Sequence, residues 1–245
     1  MLEIKNLRYQ VGEDGDSLDI LQDISLKVTE GSFVVITGPN GGGKTTLAKA
    51  IMGIIEPTGG QILWNGTDVT HMSITDRAHC GISYGFQQPP RFKGLRVRDL
   101  LALAAGQEHL KDEEGCQYLT RVGLCAHDYI NREVDASLSG GELKRIEIAT
   151  ILARKAGLMI FDEPEAGIDL WSFARLTDTF RAIRKKREAT LVVISHQERI
   201  IDLADEIVMV SGGKVTQWGP KDEIFPLILA NTTAGCSYMS GGAAQ

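Results

Sequence analysis

The spacing of apolar residues changes character along the chain, and each change predicts an element. Across residues 20–28, ILQDISLKV, Ile24, Leu26 and Val28 alternate with Asp23, Ser25 and Lys27. A period of two predicts a strand with one buried and one wet face, as in an antiparallel sheet. FVVIT (33–37), LMIF (158–161) and TLVVIS (190–195) are instead apolar almost throughout. Short continuous runs of this kind suit parallel strands covered on both faces. Helical patterns follow them over residues 44–55, 170–186 and 197–203. Strand–helix alternation then predicts a three-layer α/β core.

Between residues 88 and 156 the text becomes helix-forming, in LRVRDLLALAA, EEGCQYLTRVGL and GELKRIEIATILAR, with no buried strand. This predicts a helical subdomain over about 88–156, inserted into the α/β core. The closing TTAGCSYMSGGAAQ is rich in small residues and lacks apolar periodicity. A flexible tail over 230–245 is expected there, behind a folded domain over 1–229.

A length of 245 residues fits one domain with lobes. The formal net charge of −6 argues against a nucleic-acid footprint, which gathers lysine and arginine into a net basic face. The basic run Arg181, Arg184, Lys185, Lys186 and Arg187 reads as a solvated helix face. The opening MLEIKNLRYQ lacks the apolar segment of a secretory signal. LLALAA, the longest aliphatic run, is far short of the roughly 20 residues that span a bilayer. A cytoplasmic location is expected. Cys80, Cys116, Cys125 and Cys236 match neither a zinc nor a disulfide spacing, and are expected as reduced, mostly packed thiols.

Chemistry enters at GPNGGGKTT, residues 38–46, which completes the pattern G-x-x-x-x-G-K-[ST] between the FVVIT strand and a helix. Gly38, Gly41, Gly42 and Gly43, with Asn40, let backbone N–H groups turn inward around phosphate, and the helix start adds partial positive charge. Lys44 suits the β- and γ-phosphates, and Thr45, with Thr46 beside it, suits magnesium. The LMIF strand ends in Asp162-Glu163-Pro164. Carboxyl ends of parallel strands share one edge, so these acids should face the phosphate loop, Asp162 toward magnesium and Glu163 as base for an attacking water. His196 follows the third strand at that edge, where an imidazole can reach the γ-phosphate.

A second phosphate-suited stretch, SLSGGELKR at residues 137–145, lies far away in sequence. Ser139, Gly140 and Gly141 open a predicted helix, so free N–H groups and the helix dipole gather there.

The phosphate loop, FQQ, LSGGE, LMIFDEP and His196 occur in the order of an ATP-binding-cassette ATPase, and about residues 1–229 resemble that family. The resemblance implies a P-loop NTPase fold with a parallel-sheet core, an antiparallel β subdomain and an inserted helical subdomain. It implies hydrolysis of ATP with Mg2+. It also implies a head-to-tail dimer, in which Ser139, Gly140, Gly141 and Glu142 cap the γ-phosphate on the other chain. Gln87 is similar to the family's magnesium- and water-contacting glutamine, with Gln88 as competitor, and Asp169 to the loop that crosses the dimer interface.

Three departures stand out: Val11 where an adenine-stacking aromatic often lies, with Tyr9 two residues early; Glu142 in place of glutamine; and Glu165 in place of a small hydroxyl residue. Both acids are expected to add negative charge near phosphate and favour an open, slow state. Together the three resemble SufC-type ATPases of the SUF iron–sulphur cluster assembly machine. On that resemblance a SufB/SufD-like scaffold docks on the helical lobe and residues 87–94, where Pro89 and Pro90 stiffen the chain and Arg91, Phe92 and Lys93 offer a cationic and aromatic contact. The alternative is the ATPase subunit of a membrane transporter, docked on a permease.

Overall fold

The computed structural model describes residues 1–12 and 17–234. β1 (Leu2–Val11) and β2 (Leu18–Val28) precede β3 (Phe33–Thr37), which leads into α1 (Lys44–Met52). β4 (Gly59–Trp64), β5 (Thr67–Asp68), α2 (Ile74–His79) and β6 (Ile82–Gly85) follow. Four helices come next: α3 (Val97–Ala105), α4 (Asp112–Arg121), α5 (Ala126–Tyr129) and α6 (Gly140–Arg154). β7 (Leu158–Asp162), α7 (Leu170–Lys186), β8 (Thr190–Ile194), α8 (Glu198–Ile201), β9 (Glu206–Ser211), β10 (Lys214–Pro220) and α9 (Lys221–Ala234) end the described chain.

Two sheets result. The larger runs β10-β9-β3-β8-β7-β6 and is parallel except for the edge pair of β10 with β9. The smaller runs β2-β1-β4-β5, all antiparallel. The continuous apolar runs have a direct cause. Phe33 and Val35 point into the cluster built with α6 and α7, while Val34 and Ile36 point into the cluster shared with α1 and the antiparallel sheet. β8 splits likewise, Leu191 and Val193 to one side and Val192 and Ile194 to the other. Burying each such side chain stabilises the fold by about 1.5–3 kcal/mol. In β2, by contrast, Leu21, Ile24, Leu26 and Val28 are buried and the residues between them are not.

Some expectations change. α1 stops at Met52, short of residue 55, because Gly53 turns to φ 81° and caps it, with Ile54 N–H on the Lys49 carbonyl at 2.9 Å. α9 continues through Ala234, five residues into the expected tail, and residues 235–245, with Cys236, lie outside the described residues. Cys80, Cys116 and Cys125 are exposed and not packed, two of them at helix ends and Cys116 on an open face of α4. The basic run does lie on a solvated face as expected, with Arg181, Lys185, Lys186 and Arg187 exposed, and Arg181, Arg184 and Lys186 pair there with Asp178, Asp205 and Glu188. Among the described residues no helix is long and apolar enough to cross a membrane.

Candidate functional site

β3, β7 and β8 lie in register, Ile36 beside Ile194 and Ile194 beside Asp162, so the residues that follow them share one edge. Thr45 Oγ1 donates to Asp162 Oδ1 at 3.2 Å, Gln87 Nε2 to Glu163 Oε2 at 2.8 Å, and His196 Nδ1 lies 3.3 Å from Thr37 Oγ1. Gln87, not its neighbour Gln88, is the glutamine whose amide meets Glu163. Lys44, 6% exposed, folds its ammonium onto the carbonyls of Gly38 and Pro39 at 2.7 and 2.8 Å. Burial lowers its pKa, against the pull of Glu163 and Asp162.

Asp162 is fully buried and also accepts from Tyr84 Oη at 3.0 Å. Burial pushes its carboxyl up, while the Tyr84 and Thr45 hydroxyls hold it down. A buried carboxylate beside a hydroxyl is poised for a cation, which would relieve the desolvation. His196 is shifted down by burial and then by Lys44, which favours the neutral imidazole. Glu163 takes a left-handed φ of 46°, fixed by its N–H on the Ile194 carbonyl at 3.0 Å. Such strain persists only where the surroundings over-determine it. Gly38, at φ 132°, is required by contact, since a Cβ there would sit 2.1 Å from the Val210 carbonyl oxygen.

Ser139–Glu142 and Asp169 form a separate group. Ser139 is the N-cap of α6 and accepts from Glu142 N–H at 3.3 Å, while Glu142 Oε2 accepts from Ser139 N–H at 2.7 Å. This is a capping box. Asp169 caps α7 through the N–H groups of Trp171 and Ser172. Arg145 joins the two helix starts, donating to Gly141 O at 3.2 Å and Ser172 Oγ at 2.6 Å, and lying 4.0 Å from Asp169. Gly141 is close-packed, for its Cβ would meet the Gly167 carbonyl at 2.4 Å.

One buried pair connects the groups. Glu147 Oε1 accepts from Phe86 N–H at 2.8 Å, and Lys144 Nζ donates to Phe86 O and lies 3.4 Å from Asp162 O. Lys144 and Glu147 are 3.4 Å apart, with side chains 2% and 10% exposed. Both backbone groups of the residue before Gln87 are therefore held by side chains of α6.

Sequence reasoning missed Tyr84, Tyr129, Arg132, Lys144 and Glu147. It also misjudged the two acids. Glu142 spends its charge on Ser139 N–H, Tyr129 Oη and Arg132. Glu165 accepts from Ser195 Oγ at 2.5 Å, and burial raises its pKa toward the neutral form. Neither presents a free charge to phosphate. Val11 is half-exposed opposite Leu18, while Tyr9 packs on the apolar cluster as a strand residue.

A glycine-bent loop, its lysine, and two strand-end carboxylates define a P-loop nucleoside-triphosphatase site. The sequence matches the ABC transporter family over residues 21–166. It is 37% identical over 231 residues to an uncharacterized ABC transporter ATP-binding protein of Methanocaldococcus jannaschii, across 91% of this chain and 90% of that protein. It is 34% identical over 226 residues to the sulfate/thiosulfate import ATP-binding protein CysA of Synechocystis, across 91% of this chain but 61% of that relative. The fold matches the dimeric ATP-binding cassette MJ0796, in a post-hydrolysis state bound to ADP and Pi, with a TM-score of 0.81 at 21% identity over 90% of this chain and 99% of that one. It also matches a bacterial Atm1-family ABC exporter with ATP bound, with a TM-score of 0.80 at 24% identity over 98% of this chain and 42% of that one. The chain belongs to the ABC transporter family of ATP-binding cassettes. It is an ATPase, acting on ATP with Mg2+. The Thr45 hydroxyl and the Asp162 carboxylate it meets are oxygen donors of the kind this hard cation takes.

Proposed function

We propose that this chain is the ATP-hydrolysing subunit of an ABC membrane transporter, working as a head-to-tail pair in which each copy caps the ATP held by the other. One observation carries the pairing: Ser139 and Gly140 stand exposed at the start of α6, and Ser139 hydrogen-bonds Glu142 and not the loop around Lys44. Lys44 holds the β- and γ-phosphates, with the N–H groups of residues 40–46 around them. Thr45, Asp162 and Gln87 hold Mg2+, which when bound screens the phosphate charge. Glu163 takes the proton of the attacking water, and Gln87 and His196 orient that water. Ser139, Gly140 and Gly141, with Glu142 behind them, donate to the γ-phosphate on the second copy, and Asp169 brings the crossing loop. Beside Asp169, Leu170 and Trp171 are 62% and 82% exposed, an apolar surface that a second copy can cover.

The partner enters at residues 87–94 and the helical lobe of about 88–156. Phe86, Pro90 and Phe92 line an apolar pocket with Leu100, Leu143 and Ile146, and Arg91 and Lys93 are exposed nearby. The import function in the name of the CysA relative supports a permease as that partner. A second reading, a SufC-type ATPase on a SufB/SufD-like scaffold, keeps the acids at 142 and 165 as its specific observation. Each acid already serves the chain internally, as a helix cap and as the acceptor of Ser195, so neither requires a scaffold.

Affinity purification of the tagged chain from its native cells decides between partners. Recovery of a membrane permease is expected; recovery of a cluster scaffold without a permease overturns the transporter reading. For the pairing, mixing Lys44→Ala with Ser139→Ala chains is expected to restore turnover, because each heterodimer keeps one intact composite site. Verified heterodimers without turnover exclude capping between chains.

A further inference from the structure

The capping box at Ser139 is anchored from outside its own helix. Glu142 Oε1 accepts from Tyr129 Oη, at the end of α5. Arg132 places a guanidinium nitrogen 3.6 Å from the same oxygen and stacks its cation 5.2 Å from the Tyr129 ring centre. Its other terminal nitrogen reaches Ser137 O and Oγ, both at 3.4 Å. Tyr129 is half-buried against the main apolar cluster. A capping box needs only the serine and the acid. Tyr129 and Arg132 add two things: they tie the box to the packed lobe, and they absorb the charge of a carboxylate standing where an anion must dock. Tyr129 first, then Ser139 N–H, hold the Glu142 carboxyl down to about 2, so it stays ionised and acceptor-only.

The hydrogen-bond directions have a consequence for Ser139. Its oxygen accepts from Glu142 N–H, and its side chain also hydrogen-bonds the Glu142 carboxyl, so the acid fixes where the serine stands. We propose that Tyr129 and Arg132 are positioning residues for ATP hydrolysis, acting through Glu142 to hold Ser139 and the start of α6 in place for the γ-phosphate on a second copy of this chain. The inference rests on the head-to-tail pairing above.

The test uses the full chain. Tyr129→Phe keeps the ring and its packing and removes one hydroxyl. Turnover is expected to fall about ten- to hundredfold, as for loss of a hydrogen bond to a charged group, with nucleotide binding by the variant's own phosphate loop unchanged. Mixing Tyr129→Phe with Lys44→Ala is expected to restore turnover, since the intact capping loop then faces the intact phosphate loop. Glu142→Gln, whose amide oxygen still accepts from Ser139 N–H, is expected to retain more turnover than Glu142→Ala. Wild-type turnover in Tyr129→Phe overturns the proposal. So does a defect that mixing leaves in place while Lys44→Ala with Ser139→Ala mixtures recover, because the role then lies within one chain. If those control mixtures stay inactive with heterodimers verified, the pairing itself falls and the proposal with it.

Discussion

The two phosphate-suited groups are built by opposite means. Around Lys44 the functional atoms hang on the ends of β3, β7 and β8, whose residues are buried at every position. The loop itself is locked by backbone, with the Gly42 carbonyl accepting from Gly213 N–H at 3.0 Å. Around Ser139 the donors stand at an exposed helix start and are held by side chains, from Glu142, Tyr129 and Arg145. Glycine shows the same division. A Cβ at Gly38 would collide with the Val210 carbonyl, whereas at Gly140 it would find nothing within 4 Å. The fold demands glycine at 38 and leaves position 140 free. What an absent side chain protects at 140 is access to the N–H groups from outside.

That contrast can be broken from either side. On the strand-end side, Glu163→Gln is expected to lower turnover by about 10²–10⁴-fold, the span of a general base, while ATP still binds; phosphate release and equilibrium nucleotide binding measure the two. Wild-type turnover in that variant removes Glu163 as the base. At the junction, Lys144→Met leaves Glu147 buried without its cation, at a cost of about 3–5 kcal/mol in urea unfolding. Replacing both residues by methionine is expected to recover most of that loss, because no charge is then stranded.

On the helix-start side, Gly140→Ala keeps its N–H but sets a methyl group beside it, and is expected to cut turnover by up to about 10²-fold through a misplaced phosphate, without lowering Tm. Alanine is favoured over glycine in a helix by about 0.5–1 kcal/mol, so a drop in Tm would make this glycine structural after all. The smallest effect concerns acid. The folded Glu142 carboxyl sits at about 2 against an ordinary 4.5. Its contribution to stability is therefore full above pH 4.5 and lost as pH falls toward 2. Glu142→Gln should give a shallower decline of Tm across that window than the parent chain.

The same contrast explains what the sequence made legible. A buried parallel strand must be apolar on both faces, so β3, β7 and β8 announced themselves, and the phosphate loop and DEP followed from their ends. β6 did not, because ISYG has four residues, two of them Ser83 and Gly85, too short a run to display any period. β9 is hidden in the same way, its IVMV stretch bounded by Glu206 and Ser211. The SLSGG stretch was readable as a helix start, yet its supports were not. Tyr129 and Arg132 belong to no repeating pattern, and their meaning arises only when α5 and the loop after it fold back on α6. Charge was the poorest guide. Glu142 and Glu165 read as extra negative charge near phosphate until the partners of each became visible.

The clamp on Phe86 has a mechanical consequence. With its N–H on Glu147 and its carbonyl on Lys144, this residue moves with α6 as one lever, and Gln87 is the lever's tip. Those two bonds give a rotation of α6 a direct route to the glutamine amide that meets Glu163. On the proposed head-to-tail pairing, grip on one nucleotide and alignment of water at the other would then be geared together through a single backbone residue.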